Sequence, residues 1–235
     1  IQAQVLDEMA ALQRARGMAM ILITHDLGVV AKMADRVGVM YAGHLIEEAP
    51  RERFFGAPAH PYPRKLFEAL PEGHRERGAL ATIPGSVPPL TTHFTGCRFA
   101  PRCDRAWERC RVEAPQWHAL EGGQRVRCHL YDPAESMRAV VQPVTAGAAG
   151  RPVPATGEIL LGVRDLAVHF PITRGVFRRV VGHVKAVDGV SLDSGAGRTL
   201  ALVGESGCGK TTVGKAILRL IEPSGGSARL GDTDI

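Results

Sequence analysis

The chain has 235 residues, with 29 Lys and Arg against 24 Asp and Glu, a formal net charge of +5 and 45% hydrophobic content. That much apolar side chain excludes a wholly disordered polymer, and the charge is too diffuse to imply nucleic acid by itself. The longest apolar run, residues 18–23, is far short of the roughly 20 residues a membrane-spanning helix needs. No secretory leader is expected before the first motif. The chain opens on Ile1 and stops in mid-pattern at Ile235, as a fragment of a longer protein would.

Taken in chain order, Val5, Leu6, Met9 and Leu12 repeat at helical spacing up to Gly17. Residues 18–23 (MAMILI) read as a buried parallel strand. A helix capped by Asp26 follows, to about Asp35. Residues 37–41 and 44–47 read as a strand pair around Ala42-Gly43, and residues 50–70 as short helices broken by prolines. From 85 to 131 apolar periodicity fades while cysteines and arginines appear. Residues 139–157 are a Pro/Gly/Ala linker with one charge, Arg151. After Glu158 come strands over 159–170, 184–192 and 199–203, then a loop and a helix to Ile221.

That last loop, Gly204-Glu-Ser-Gly-Cys-Gly-Lys-Thr211, fits G-x-x-x-x-G-K-[ST] with an apolar strand before it and a helix behind it. Gly204, Gly207 and Gly209 let the backbone curl with its N–H groups inward. The helix N-terminus adds partial positive charge. Lys210 reaches the β/γ-phosphates of a nucleotide and the Thr211 hydroxyl holds Mg²⁺. Gly204, Glu205, Ser206, Gly207, Cys208, Gly209, Lys210, Thr211 and Thr212 are therefore candidate contacts to ATP. The chemistry requires Mg²⁺.

His25 ends an apolar strand, at the edge where α/β folds bind ligands. On position alone, such a histidine is more often structural than catalytic. Residues 21–30 (ILITHDLGVV) and 33–43 (MADRVGVMYAG) resemble the switch-histidine region of ATP-binding cassette (ABC) ATPases. That resemblance gives His25 the γ-phosphate, and with Lys210 it is a candidate catalytic residue. In that family the phosphate loop precedes the switch histidine; here it follows it. The order implies the end of one cassette, a spacer, and the start of a second, so His25 and Lys210 are expected to serve different nucleotides. Asp7-Glu8 and Ser224-Gly225-Gly226 mimic a Walker B pair and a signature sequence. We read the first as solvated helix residues and the second as a turn. The fragment alone is expected to hydrolyse ATP poorly. Phe170 stands where the family stacks an aromatic on adenine; Phe177 is its rival, and core packing suits either.

The remaining cysteines are spaced Cys97-x5-Cys103-x6-Cys110-x17-Cys128. Four thiolates in a loop-rich stretch suit Zn²⁺ or a [4Fe–4S] cluster as a staple, and free structural thiols are the alternative. Residues 60–71 (HPYPRKLFEALP), 83–88 (IPGSVP), 96–103 (GCRFAPRC) and 127–131 (RCHLY) resemble the C-terminal extension of oligopeptide/dipeptide and glutathione importer ATPases. In that family the four cysteines are associated with an iron–sulfur cluster, which makes Cys97, Cys103, Cys110 and Cys128 the implied ligands and zinc the alternative. Arg98, Arg102, Arg105 and Arg109 would offset cluster charge or form a solvated face.

The expected fold is α/β, made of partial P-loop NTPase (ABC ATPase) domains joined by a small Cys₄ region. The divisions are 1–57 for the end of the first cassette, 58–135 for the extension, 136–157 for the linker and 158–235 for the start of the second cassette. The resemblance implies an ATPase subunit of a peptide importer at the cytoplasmic face of the inner membrane. It would work with transmembrane permease subunits, another cassette and, indirectly, a periplasmic solute-binding protein, with no nucleic acid. A soluble tandem-cassette ATPase acting on nucleic acid, with a structural metal site, is the alternative.

Overall fold

The computed structural model describes residues 2–69, 83–138, 158–175 and 179–235. Helix α1 (Gln2–Arg16) leads into β1 (Met20–Ile23), α2 (Leu27–Met33) and the hairpin β2 (Arg36–Tyr41) and β3 (His44–Pro50), followed by α3 (Arg51–Gly56) and α4 (Pro61–Glu68). The Cys-bearing region adds α5 (Glu108–Val112), β4 (Trp117–Leu120) and β5 (Gln124–Arg127). The C-terminal part supplies β6 (Ile159–Arg174), β7 (Arg179–Gly195), β8 (Thr199–Val203), α6 (Lys210–Ile217), β9 (Gly225–Leu230) and β10 (Thr233–Asp234). The linker at 139–157 and Phe177 lie outside the described residues.

Strand β8 reads TLALV and is buried at every position. Such a strand needs a neighbour on each edge and cover on each face. It finds both. One sheet runs β1-β8-β2-β3-β5-β4 and the other β10-β9-β6-β7. β8 lies parallel between β1 and β2, with Leu202 opposite Ile23 and Val203 opposite Val39. Side-chain alternation then sends Leu200 and Leu202 into a core shared with Leu166, Val190, Val213 and Ile217. Ala201 and Val203 face the other core, with Val30, Phe54 and Tyr62. Polar contacts set the register. Gln13 Nε2 donates to Thr199 Oγ1 at 2.7 Å, and the Thr199 N–H donates to Asp35 Oδ2 at 2.7 Å. Arg198 pairs with Asp35 at 3.6 Å.

Strands from the two ends of the chain thus complete one sheet. β1 and β2 leave between them a gap one strand wide, and β8 carries the apolar run that fills it. Differences from the expected elements are local. Helix α1 forms, but Val5, Met9 and Leu12 face solvent while Gln13 is buried. Asp7 and Glu8 are exposed as expected, Asp7 pairing with Lys32 at 2.7 Å. Helix α6 stops at Ile217 rather than Ile221, because Arg219 adopts a left-handed φ of 55° and Leu218 and Leu220 lie 70% exposed. Gly225 and Gly226 open β9 instead of forming a turn. The Cys-bearing region is more regular than its texture suggests, since β5 pairs antiparallel with β3 and joins the main sheet.

A half-buried ionic junction ties three segments together. Asp188 on β7 meets Arg98 from the Cys-bearing region, His169 Nε2 at 2.9 Å and His44 Nε2 at 3.8 Å. Contacts from His44, Arg98 and His169 hold its carboxyl well below the usual carboxylate range. A depressed carboxyl stabilises the fold fully above its unfolded value of about 4 and loses that contribution as pH falls further. Asp188→Asn should thus lower stability at pH 7 and flatten its dependence on pH below about 4, as followed by urea unfolding at a series of pH values.

Candidate functional site

β8 delivers the glycine-rich loop to the carboxyl end of the parallel strands, and β1 delivers His25 to the same end. The two meet. Ile23, Thr24 and His25 from one end of the chain, and Ser206, Gly207, Gly209, Lys210, Thr211 and Thr212 from the other, line one open cavity of about 550 Å³. His25 and Lys210 line this one pocket. Asp26 caps α2 as expected, accepting from the N–H groups of Gly28 at 2.8 Å and Val29 at 3.2 Å.

Two glycines in the loop are required by close approach. A Cβ on Gly204 (φ +145°) would lie 2.2 Å from the Met40 carbonyl oxygen, and one on Gly209 (φ +104°) 2.2 Å from that of Ala186. Among the described residues no side chain caps α6 at Gly209, and the helix N-terminus opens toward the pocket that Gly209, Lys210, Thr211 and Thr212 line. Lys210 Nζ folds back to the carbonyls of Gly204 at 2.8 Å and Glu205 at 2.9 Å. Thr211 is exposed beside the pocket, whereas Cys208 is wholly buried, its carbonyl accepting from the Gly43 N–H at 2.9 Å. Phe170 sits on β6, 41% exposed and opposite Val184, and does not line this cavity.

Three contacts at the site were not foreseen. Leu90, from the extension, lines the same cavity. Arg102 Nη1 donates to both carboxylate oxygens of Glu205, at 3.1 and 3.2 Å. The Glu205 N–H donates to the Tyr62 hydroxyl at 2.9 Å. Arg98 and Arg102 are accordingly buried partners of acidic residues rather than a solvated face. Arg109 pairs with Glu113 and Asp132.

Cys97, Cys103, Cys110 and Cys128 come together around a second cavity, with His60, Phe99, Trp107 and Leu130 in its wall. Burial pushes the Cys97 thiol up to about 11 and the Cys128 thiol up to about 12. It also raises Cys103 and Cys110. Backbone N–H groups of Phe99 and Ala100 nonetheless reach the Cys97 sulfur, that of Arg105 reaches Cys103 and that of Leu130 reaches Cys128. His60 Nδ1 accepts from the Tyr62 N–H at 3.1 Å, and its buried Nε2 has no hydrogen-bond partner. Four sulfurs served by N–H donors suit a soft metal group. Among the described residues, no three His, Cys, Asp or Glu side chains are placed to hold a single metal ion.

Residues 46–110 match the model for the oligopeptide/dipeptide transporter C-terminal region, and residues 187–235 match that for ABC transporters. The oligopeptide transport ATP-binding proteins OppD of Mycobacterium tuberculosis and Mycobacterium bovis are each 37% identical over 239 residues, covering 100% of this chain and 39% of their own length. The glutathione import ATP-binding protein GsiA of Escherichia coli K12 is 37% identical over 226 residues, covering 96% of this chain and 28% of its own. The chain thus spans about two fifths or less of these relatives. By these matches the chain is similar to ATP-binding proteins of oligopeptide/dipeptide ABC transporters.

Proposed function

We propose that the chain is the junction of two consecutive cassettes in an ATP-hydrolysing importer subunit, and that the longer protein couples MgATP hydrolysis to uptake of peptides or a glutathione-like solute. The observation that carries the nucleotide reading is the phosphate loop itself, set between β8 and α6 with Lys210 and His25 lining one pocket. In the longer protein Lys210 and the N-terminus of α6 bind the phosphates of the second cassette's nucleotide and Thr211 holds its Mg²⁺, while His25 orients the attacking water at the first cassette's nucleotide. The order of the two family matches supports the tandem reading, because the C-terminal extension of one cassette precedes the head of another. Among the described residues no helix is long and apolar enough to cross a membrane. Separate permease subunits supply the pathway, a solute-binding protein feeds it, and the subunit works at the cytoplasmic face of the inner membrane. Introducing Lys210→Ala into the longer protein should reduce bound MgATP from two per chain to one and stop peptide uptake. Retained uptake would sink the importer reading, and strong salt-sensitive DNA binding would favour the nucleic-acid alternative.

The four cysteines hold a [4Fe–4S] cluster in this reading. If a cluster is bound, Cys97, Cys103, Cys110 and Cys128 would be its ligands, and the N–H groups at the sulfurs would offset its negative charge. When bound, the group supplies a staple for a region with little core of its own. Anaerobically purified protein should absorb near about 400 nm. Replacing Cys97 and Cys128 with serine should abolish that band together with the bound iron. A colourless protein containing zinc would decide for the alternative.

A further inference from the structure

The extension holds the phosphate loop at one residue, Glu205, by both its backbone and its side chain. Arg102 is buried in a short turn, Ala100–Arg102, immediately before Cys103. Its Nη1 reaches both Glu205 oxygens, and its Nε donates to the Pro84 carbonyl at 2.9 Å. Tyr62 comes from α4 and is fully buried, its ring edge-on to Tyr41 with centroids 4.9 Å apart. Its hydroxyl accepts from the Glu205 N–H. Neither residue belongs to the glycine-rich motif.

Two consequences follow from elementary chemistry. The Tyr62 hydroxyl fixes the peptide between Gly204 and Glu205, whose carbonyls on either side receive Lys210 Nζ. Arg102 neutralises a carboxylate that would otherwise stand uncompensated beside the phosphate pocket. Like charges a few ångströms apart at a protein surface are worth enough to change anion affinity severalfold.

We propose that Tyr62 and Arg102 are positioning residues of the phosphate loop, so that the extension is an integral part of the nucleotide site and not an appendage to it. The effect on ATP rests on the nucleotide reading above; the grip on the loop does not. Two measurements on the full chain separate them. In nucleotide-free protein, Tyr62→Phe keeps the ring and removes the acceptor, so amide exchange at Glu205 and its loop neighbours should speed up about tenfold. Unchanged exchange overturns the proposal whether or not nucleotide binds. In MgATP titrations, Arg102→Gln should weaken binding about tenfold, and adding Glu205→Gln should restore most of it, while adenosine binding stays level. Weakening that Glu205→Gln fails to relieve, or that extends equally to adenosine, overturns it. If Arg102→Gln does not fold, Glu205→Gln alone decides: unmasking the Arg102 charge should tighten MgATP binding, and weaker binding counts against the idea. A wild-type chain that binds no MgATP sinks the nucleotide reading and leaves the exchange measurement to judge the grip.

Discussion

Lys210→Ala in this chain should weaken MgATP binding by about 10²–10³-fold, the loss of one strong charge-assisted donor to a phosphate. The side chain already spans its own loop, donating to the Gly204 and Glu205 carbonyls. Those are neutral acceptors; a γ-phosphate oxygen is a charged one and makes the stronger bond, so the ammonium moves from the loop to the nucleotide. The alanine variant keeps the Gly204 and Gly209 geometry, because both glycines are shaped by contacts to Met40 and Ala186 rather than by Lys210. Thermal unfolding of the free variant should therefore fall by only a few degrees, while calorimetric titration registers the binding loss. An affinity within about threefold of wild type would show that the α6 N-terminus and Mg²⁺ hold the triphosphate without the ammonium.

The phosphate loop was legible as a motif because its chemistry is written in local spacing, whereas His25 was singled out only by resemblance. Three glycines, a lysine and a threonine at fixed offsets need no knowledge of the rest of the fold. The partner of β8 was not legible. An all-apolar strand such as TLALV accepts any parallel neighbour of similar character, and nothing near residue 200 names residues 20–23 and 36–39. What selects them is a set of long-range polar contacts, Gln13 with Thr199 and Asp35 with the Thr199 N–H. The arginines of the extension misled for a related reason. Arg98 and Arg102 stand in a basic, loop-rich stretch that reads as solvated, yet each is buried against a carboxylate from a distant segment. The β4–β5 hairpin was missed because WHAL and QRVR alternate weakly, and it is its pairing with β3 that orders it.

The same blindness to distant partners hides Glu47, and its replacement carries the largest expected cost in stability. In β3 the sequence HLIEEAP places two carboxylates where solvent would be the natural guess, but Glu47 is 0% exposed. Its carboxylate accepts from the N–H groups of Ala59 at 3.0 Å and His60 at 2.6 Å, and from Gln124 Nε2 at 2.8 Å. One side chain thereby ties β3 to the entry of α4 on one side and to β5 on the other. Glu47→Ala leaves these buried donors unpaired at roughly 1–3 kcal/mol apiece, for a total of about 3–5 kcal/mol. Glu47→Gln recovers part of this, since the amide oxygen can still accept while its NH₂ faces the remaining donor. Urea unfolding should rank the two variants in that order. Because His60 opens the helix that carries Tyr62, amide exchange in the phosphate loop of Glu47→Ala should also quicken at urea concentrations too low to unfold the protein. A loop unaffected under those conditions would mean that Tyr62 holds its place without support from β3.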